Sequence, residues 1–541
     1  MKKVFSYILL ILFSIAFFYL VMPTLNFGYY GVLVYFFLLL GYAYFSENVR
    51  KSLKKNTGEP YKASVKVIAG FWLYLVIVVL MIIFSTAAIF YSSSYQKMLG
   101  DVNTGEELSA HLAPISLEQV AIVDRQIAYR LGDKVIGSVP SLGSQTELGN
   151  FTLQKVNDQL CWVAPLLHSG YFPWSENSAG TPGYIKVSAT NDRDVELVQS
   201  YDGVDIQIKY QPNAYFSDNL SRHIYFNGYM TQGFTDFTFE LDDRGKPYWV
   251  ITLYAKKVGF SGANATGVIT VDPKSGEIKE YGIGEAPKWI DRIQPAGFVV
   301  DQLNAWGEYV NGYWNPSNQD KLKTTEGVTI VFGQDGQAYW YTGLTSVGKD
   351  EGTVGFALVN TRTKETIWYK QVGATEEAAQ LSAMGKVQEK GYGASFPVTY
   401  NINGVPTYIM SLKDQAGLIK MLAMVSVEDY TIVGVGNTLR EALRSYKNSL
   451  NSVGGSIDVS SESDLQAIRD IISRINADNR DGNTFYYFTT ESQPGVFVGT
   501  SLLSTDLVLT QAGDSVVFRV EDTDLKVIDI VDFDNLNIQE E

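Results

Sequence analysis

Three histidines, His111, His168 and His223, and one cysteine, Cys161, make up the chain's imidazole and thiol metal ligands. The histidines are scattered. No HExxH and no i, i+4 pair sets two of them on one helix face, so the spacing offers no zinc site. Cys161 lies in the apolar run QLCWVAPLL and reads as a buried core thiol, not a nucleophile. GFSGA at 259–263 lacks the G-x-S-x-G spacing of a nucleophile elbow. Gly434 and Gly436 stand between a strand pattern and a helix pattern, as in a dinucleotide fingerprint. The third glycine position holds Leu439, however, and a tight strand-to-helix turn capped by Thr438 accounts for the pair. NADNRDGN at 476–483 imitates a calcium loop, but Arg480 occupies the fifth position and no glycine the sixth. A hairpin turn at Asp481-Gly482 fits better. Glycoside hydrolysis needs two facing carboxylates, and among 58 acidic residues no pair stands out by spacing. The residues left with binding chemistry are aromatic: Trp306, Tyr309, Tyr313 and Trp314 in WGEYVNGYW, and Trp174 in HSGYFPWSEN. Beside glycine, proline and carboxylates they suit stacking on wall sugars, or packing between modules. No catalytic, cofactor-binding or metal-binding residue is identified.

Composition sets where such aromatics would work. A chain of 541 residues with 19% charged and 13% aromatic residues is folded and exceeds one core. Three runs without a charged residue, 4–22, 25–45 and 67–90, are each long enough to cross roughly 30 Å of hydrocarbon as a helix. MKK before the first run resembles a signal peptide. No small-x-small cleavage site follows, and only Pro23 and Thr24 separate it from the second run, so an uncleaved hairpin is expected. The loop 47–66 carries Arg50, Lys51, Lys54, Lys55, Lys62 and Lys66. The positive-inside rule puts that loop in the cytoplasm and everything after about Tyr91 outside. The expectation is a multi-pass cell-membrane protein with a large C-terminal region outside the cytoplasm. A net charge of -15 argues against nucleic acid as a partner. A single cysteine forbids an internal disulfide.

The exported part repeats itself. RGKPYWVITLYA (244–255) is followed by TGVITVDPKSGEIKEY (266–281), and DGQAYWYTGLTS (335–346) by VGFALVNTRTKETIWY (354–369). With Gly267 set on Gly355, Val271 falls on Val359 and Tyr281 on Tyr369 without a gap. Weaker copies begin at NDQLCWVAPLL (157–167) and NGVPTYIMSLKD (403–414), making four units. Helical periodicity is expected over 115–133, over 285–310 with a break at Pro295, over 374–390 with Thr375 as N-cap, and over 438–448 with Thr438 and Glu441 in capping-box register. The class is α+β, antiparallel hairpins with helices on one face.

A helix followed by strands ending in GVITVDPKSGEIKEY resembles the PepSY domain. The likeness is specific over 267–281 and partial over 354–369, where NTRTKE lacks the aspartate and glycine. It implies cystatin-like extracytoplasmic modules on a membrane anchor, of a kind proposed to bind or restrain peptidases, and it carries over no catalytic residue. The overall plan is similar to uncharacterised membrane proteins of Gram-positive bacteria, some labelled cell-shape-determining. From about Gly454 short strands alternate with Asp-Gly, Gln-Pro-Gly and Ala-Gly-Asp turns, and AGDSVVFRV resembles a strand of a small OB- or SH3-like β-barrel. The expected domains are a membrane anchor over 1–92, α+β modules over 93–200 and 201–310, two more over 311–450, and a barrel over 455–541. The expected function is an extracytoplasmic envelope scaffold or binding protein, not an enzyme, without cofactor, whose partner is an envelope protein or the cell wall. An envelope glycosidase or peptidase with an aromatic-lined site is the competing class.

Overall fold

Both Tyr-Trp strands are central strands paired antiparallel on both sides. Pro247–Val258 pairs with Gly233–Leu241 on one side and Ser261–Val271 on the other, and Ser261–Val271 pairs with Ile278–Gly282. Ala338–Ser346 likewise lies between Thr329–Phe332 and Gly355–Asn360, with Thr366–Tyr369 beyond. Gln159–His168 and Val405–Lys413 hold the same place in two further sheets. In this computed structural model the described residues are 2–56, 65–112, 119–347, 352–402, 404–452, 466–480, 483–501, 503–520 and 527–538. The chain divides into two compact units, Met1–Gly454 and Gly455–Glu541.

These four sheets share pairings and turn bonds down to individual hydrogen bonds. Trp162 stands opposite Val187, Trp249 opposite Val271, Trp340 opposite Val359 and Tyr408 opposite Val425. The residue after each valine is a short polar side chain that caps the turn. Asp272 Oδ1 accepts from the N–H groups of Lys274 and Ser275, Asn360 Oδ1 from Arg362 and Thr363, Ser426 Oγ from Glu428 and Asp429, and Ser188 Oγ from Thr190. These are the side-chain-to-backbone bonds that make Asp, Asn and Ser turn formers. Gly276 adopts φ 75° and its counterpart Lys364 adopts φ 68°, so the third module pays in backbone strain for what glycine gives the second.

Each central aromatic also holds the segment that precedes its sheet. Trp162 Nε1 donates to the Val123 carbonyl (2.7 Å), Trp249 Nε1 to Tyr210 (2.8 Å), Trp340 Nε1 to Gln294 (2.8 Å) and Tyr408 Oη to Ala374 (3.1 Å). The N–H groups of those four residues donate to Ala189, Pro273, Thr361 and Val427, each one residue past the turn cap. In the first, third and fourth modules the helix begins directly after this anchor, with N-caps Asp124, Pro295 and Thr375. Asp124 Oδ1 accepts the Ile127 N–H at 2.9 Å, and Thr375 Oγ1 the Ala378 N–H at 3.1 Å.

These starts correct two boundaries. The helix expected over 115–133 runs over Arg125–Gly137, and residues 113–118 lie outside the described residues. The segment expected to be helical over 285–310 is helical only from Ala296 to Glu308. Pro295 lacks the N–H an interior position needs and so begins the helix. A module boundary at 310 would leave that helix with the second sheet, but its Val299 and Leu303 pack on Trp340 and Leu344 of the third. Helix Leu439–Ser452 starts at Thr438, whose Oγ1 accepts the Glu441 N–H, while the Glu441 carboxylate reaches Asn437. A Cβ on Gly434 would lie 2.1 Å from the Tyr446 nitrogen, so this glycine serves close strand–helix packing and needs no nucleotide to explain it.

Strand alternation divides each sheet into a face under its own helix and a face toward the next module. Trp249, Ile251 and Leu253 join Leu220 and Ile224 of the short helix Leu220–Ile224, and also Cys161 and Val163 from the back of the first sheet. Val250 and Val268 face Ala286, Ile290 and Ile293 on the way to the third module. Tyr339, Tyr341, Phe356 and Leu358 on the back of the third sheet pack on Tyr408, Met410 and helix residues Ala378, Ala379 and Ala383 of the fourth. Two polar clamps fix the stacking. Buried Gln154 exchanges two hydrogen bonds with the Leu241 backbone. Arg362 donates to the carbonyls of Ala286, Pro287 and Ile290.

At the N-terminus lie helices Lys2–Val21, Tyr30–Asn56 and Val65–Thr86. Among the described residues one helix, over Ala69–Thr86, is long and apolar enough to cross a membrane, and Leu10–Val21 and Tyr30–Tyr42 are shorter apolar helices. Three crossings were expected. The helix Tyr30–Asn56 ends in charges from Glu47 onward, which shortens its apolar part. The turn between the first two helices is tied to the second module: the Leu25 N–H donates to Met230, Tyr29 Oη to Tyr254 and Tyr225 Oη to the Pro23 carbonyl.

The unit Gly455–Glu541 contains a closed five-stranded barrel of Gln466–Arg480, Asn483–Thr490, Val496–Thr500, Ser515–Val520 and Val527–Asn535. The third and fifth strands are parallel and the first closes on the fourth. Phe488, Phe497, Phe518 and Phe533 fill it. Arg480 stands opposite Asn483, the register of a two-residue hairpin, though Asp481 and Gly482 lie outside the described residues.

Candidate functional site

A cavity of about 1140 Å³ opens within Met1–Gly454. Residues 121–126 and the strand edges of the first module form one wall, residues 328–334 of the third another, and Val398, Thr399 and Tyr400 of the fourth a third. The second module supplies Asp236 and reaches the cavity again through Arg292. The site thus exists only where successive modules stack.

Asp236 owes its position to a β-bulge. Thr238 pairs with Val250 and Thr235 with Thr252, so residues 236 and 237 together oppose Ile251. Asp236 takes φ 53°, a left-handed conformation that aspartate tolerates better than most residues. Asp236 is solvent-exposed on the cavity wall; crowding by the surrounding protein raises its carboxyl, opposed by the guanidinium groups of Arg292 and Arg125. Arg125 is in turn lowered by desolvation and by repulsion from Arg292, and supported by Asp236. Two guanidiniums and one carboxylate therefore act on one another at this wall. Arg292 Nε is buried without a hydrogen-bond partner, although a guanidinium offers all its N–H groups as donors. Around the trio, Arg125 lies 5.8 Å from the Trp162 ring centre and Lys155 5.9 Å from that of Phe332. Lys413 pairs with Asp124. The adjoining Asp291 carboxylate accepts the Lys155 N–H at 3.1 Å. Burial raises its pKa, against the Lys155 bond and the Arg292 and Arg362 charges. A ligand bearing an oxyanion would meet two guanidiniums here, exposed Arg125 and half-buried Arg292.

The five aromatics singled out by sequence do not line this cavity. Trp306 packs edge-on to Trp368 at 6.0 Å, and Tyr309 lies 6.2 Å from Tyr95. Tyr313 and Trp314 contact each other at 5.4 Å in the loop beyond, with Trp314 79% exposed. Trp174 belongs to a separate cluster with Tyr171, Tyr215 and Phe216. Cys161 is buried, and burial pushes its thiol up to about 11. His111 packs on Tyr339, His168 is buried, and His223 Nε2 lies 2.7 Å from the Gly276 carbonyl. Among the described residues no cluster of three or more His, Cys, Asp or Glu could hold a metal ion. Sequence reasoning passed over Arg125, Asp236 and Arg292. The one local signal was Asp236 itself, a charge inside the strand pattern GFTDFTFEL.

No family model matches the chain, and no curated protein does. A solved structure titled "Glycoside hydrolase" is similar over 76% of this chain and 95% of its own, at 10% identity and a TM-score of 0.14. A likeness that slight carries neither fold nor activity to this chain.

Proposed function

We propose that the protein is a membrane-anchored extracytoplasmic binding protein of the cell envelope, and that the intermodule cavity holds its ligand. The observation that carries this reading is Arg292, half-buried at the cavity, whose buried Nε has no hydrogen-bond partner among the described residues, beside Arg125 and Asp236. A buried donor without an acceptor is costly, and a ligand oxyanion would complete it. The ligand class is an oxyanion-bearing molecule with an apolar or sugar portion, since Trp162, Phe332 and Phe396 also line the cavity. In this reading the modules are PepSY-like, supported by the Asp272 turn with Gly276 at positive φ. The barrel is OB-like, supported by its strand order and its parallel third and fifth strands. Both serve as scaffold, and the protein is not an enzyme.

The binding test uses the full chain in detergent with soluble disaccharide-peptide fragments of bacterial cell wall, which combine sugars with carboxylates. The expected result is a saturable rise in melting temperature that Arg292→Met abolishes while leaving the unliganded melt within a few degrees. No rise, or an equal rise in Arg292→Met, overturns the cavity as the site. Topology has its own test in a Cys161→Ala background. In whole cells a membrane-impermeant thiol reagent should label a cysteine at exposed Ser275 and spare one at Ser52, as the basic loop dictates. The reverse pattern overturns the extracytoplasmic placement.

A further inference from the structure

Beside the end of helix Lys2–Val21 the first and second modules together carry an aromatic patch that no core absorbs. Phe172 is 75% exposed, Phe216 55%, Tyr171 45% and Phe226 44%. Trp174 joins them, 5.5 Å from Tyr215 and 5.6 Å from Phe216. Phe216 sits at φ 50°, a conformation bulky residues rarely accept. Its ring stays exposed although burial would be the ordinary fate of a phenylalanine.

The patch is continuous with the apolar helix. Phe226 stacks on Tyr19 at 6.0 Å. The Arg222 guanidinium lies 4.4 Å from the Tyr19 ring centre, and its Nε donates to the Tyr19 carbonyl at 3.1 Å. Arg222 also donates to the Phe216 carbonyl at 2.7 Å, so one arginine ties the patch to the helix. Tyr19 lies two residues from the helix end, about 3 Å along the axis at 1.5 Å per residue. Leu20 and Val21 beside it are 65% and 54% exposed. The second module also meets the end of Ala69–Thr86, the helix long and apolar enough to cross a membrane, since a Cβ on Gly259 would run into Ser85. In the membrane-anchored reading this face of the module therefore stands near the depth where that helix leaves the hydrocarbon. Tyrosine and tryptophan are enriched at that depth, because one end of each ring system is apolar and the other wet.

We infer that Tyr171, Phe172, Phe216 and Phe226, with half-buried Trp174 packed among them, seat in the headgroup–acyl boundary of the membrane's outer leaflet, holding the first and second modules against the lipid surface. This rests on the membrane-anchored reading above. The patch fixes the tilt of the modules above the bilayer, with Arg222 as the hinge post between helix and module.

The test is spin-label accessibility on the full Cys161→Ala chain in nanodiscs of phosphatidylethanolamine and phosphatidylglycerol. Labels are placed singly at Phe172, at Phe216, at Val76 within the helix Ala69–Thr86, and at Val372, an apolar control that is 76% exposed in the third module. Collisions with lipid-soluble oxygen are compared with those of a water-soluble nickel chelate. The expected oxygen-to-nickel ratio at positions 172 and 216 is several-fold above that at 372 and below that at 76. If 76 reads as lipid while 172 and 216 match 372, the patch proposal fails and the anchor stands. If 76 reads as water, the anchor reading fails and takes the proposal with it. Exclusion of both reagents at 172 and 216 means that protein covers the patch, which also overturns the proposal.

Discussion

Trp340→Ala should cost the unit Met1–Gly454 about 3–5 kcal/mol of stability, the range for removing a buried tryptophan from a core. Trp340 is 7% exposed and packs with Val299, Leu303, Leu344 and Val359. Its indole also holds the Gln294 carbonyl that precedes the third module's helix. Removal opens a cavity and releases the helix from its sheet in one step. Trp249→Ala should act alike in the second module, where the indole holds Tyr210. Trp340→Phe should cost less than the alanine variant: a six-membered ring remains in the core, while the pyrrole part of the indole and its hydrogen bond to Gln294 are lost together. Hydrogen exchange should show protection falling first in strands Ala338–Ser346 and Gly355–Asn360, while the barrel in Gly455–Glu541, a separate compact unit, keeps its protection. An unchanged melting profile for both alanine variants would refute the structural role and return these tryptophans to ligand recognition.

Glu240→Gln should stabilise the protein at pH 8 and do little at pH 4.5. Glu240 is fully buried, and desolvation pushes its carboxyl up to about 7, only partly opposed by Arg292 and by the Thr238 hydrogen bond. Its Oε2 has no hydrogen-bond partner. A carboxyl raised in the folded state binds its proton more tightly folded than unfolded. Its contribution is therefore fully present below the ordinary value near 4.5 and is lost as pH rises through about 7. Two to three pH units at 1.36 kcal/mol each make the loss about 3 kcal/mol. Glutamine keeps the shape and an oxygen for Thr238 Oγ1 without ionising, so the variant's advantage should grow from near zero at pH 4.5 to about 3 kcal/mol at pH 8. Urea unfolding followed by tryptophan fluorescence at the two pH values measures it. Equal effects at both pH values would show that Glu240 does not carry the pH dependence.

Both residues mark the division between what is local and what is not. Trp249 and Trp340 were legible because strand alternation has a period of two and turn chemistry is local. An ungapped match that sets Val271 on Val359 fixes the register in which each faces its tryptophan. The same locality made Thr375 and Thr438 readable as caps, because a cap bonds a backbone group three residues away. Helix starts were less legible where the decisive contact was distant. Arg125–Gly137 and Ala296–Glu308 begin beside carbonyls held by indoles of strands that come later in the chain.

By itself, then, the sequence determined the α+β class, the apolar N-terminus, the repeating strand-turn-strand and the buried character of Cys161, all of which follow from neighbours within a few residues. Only the tertiary structure decided that Arg125, Asp236 and Arg292 share one cavity wall and that Trp306 and Trp174 belong to different surroundings. It also decided that Glu240 is sealed from water. These depend on how one sheet's back meets the next module, through clamps such as Arg362 and Gln154. Charge and aromatic content along the chain do not encode that stacking, because a side chain's solvent and electrostatic surroundings are set by residues far from it in sequence.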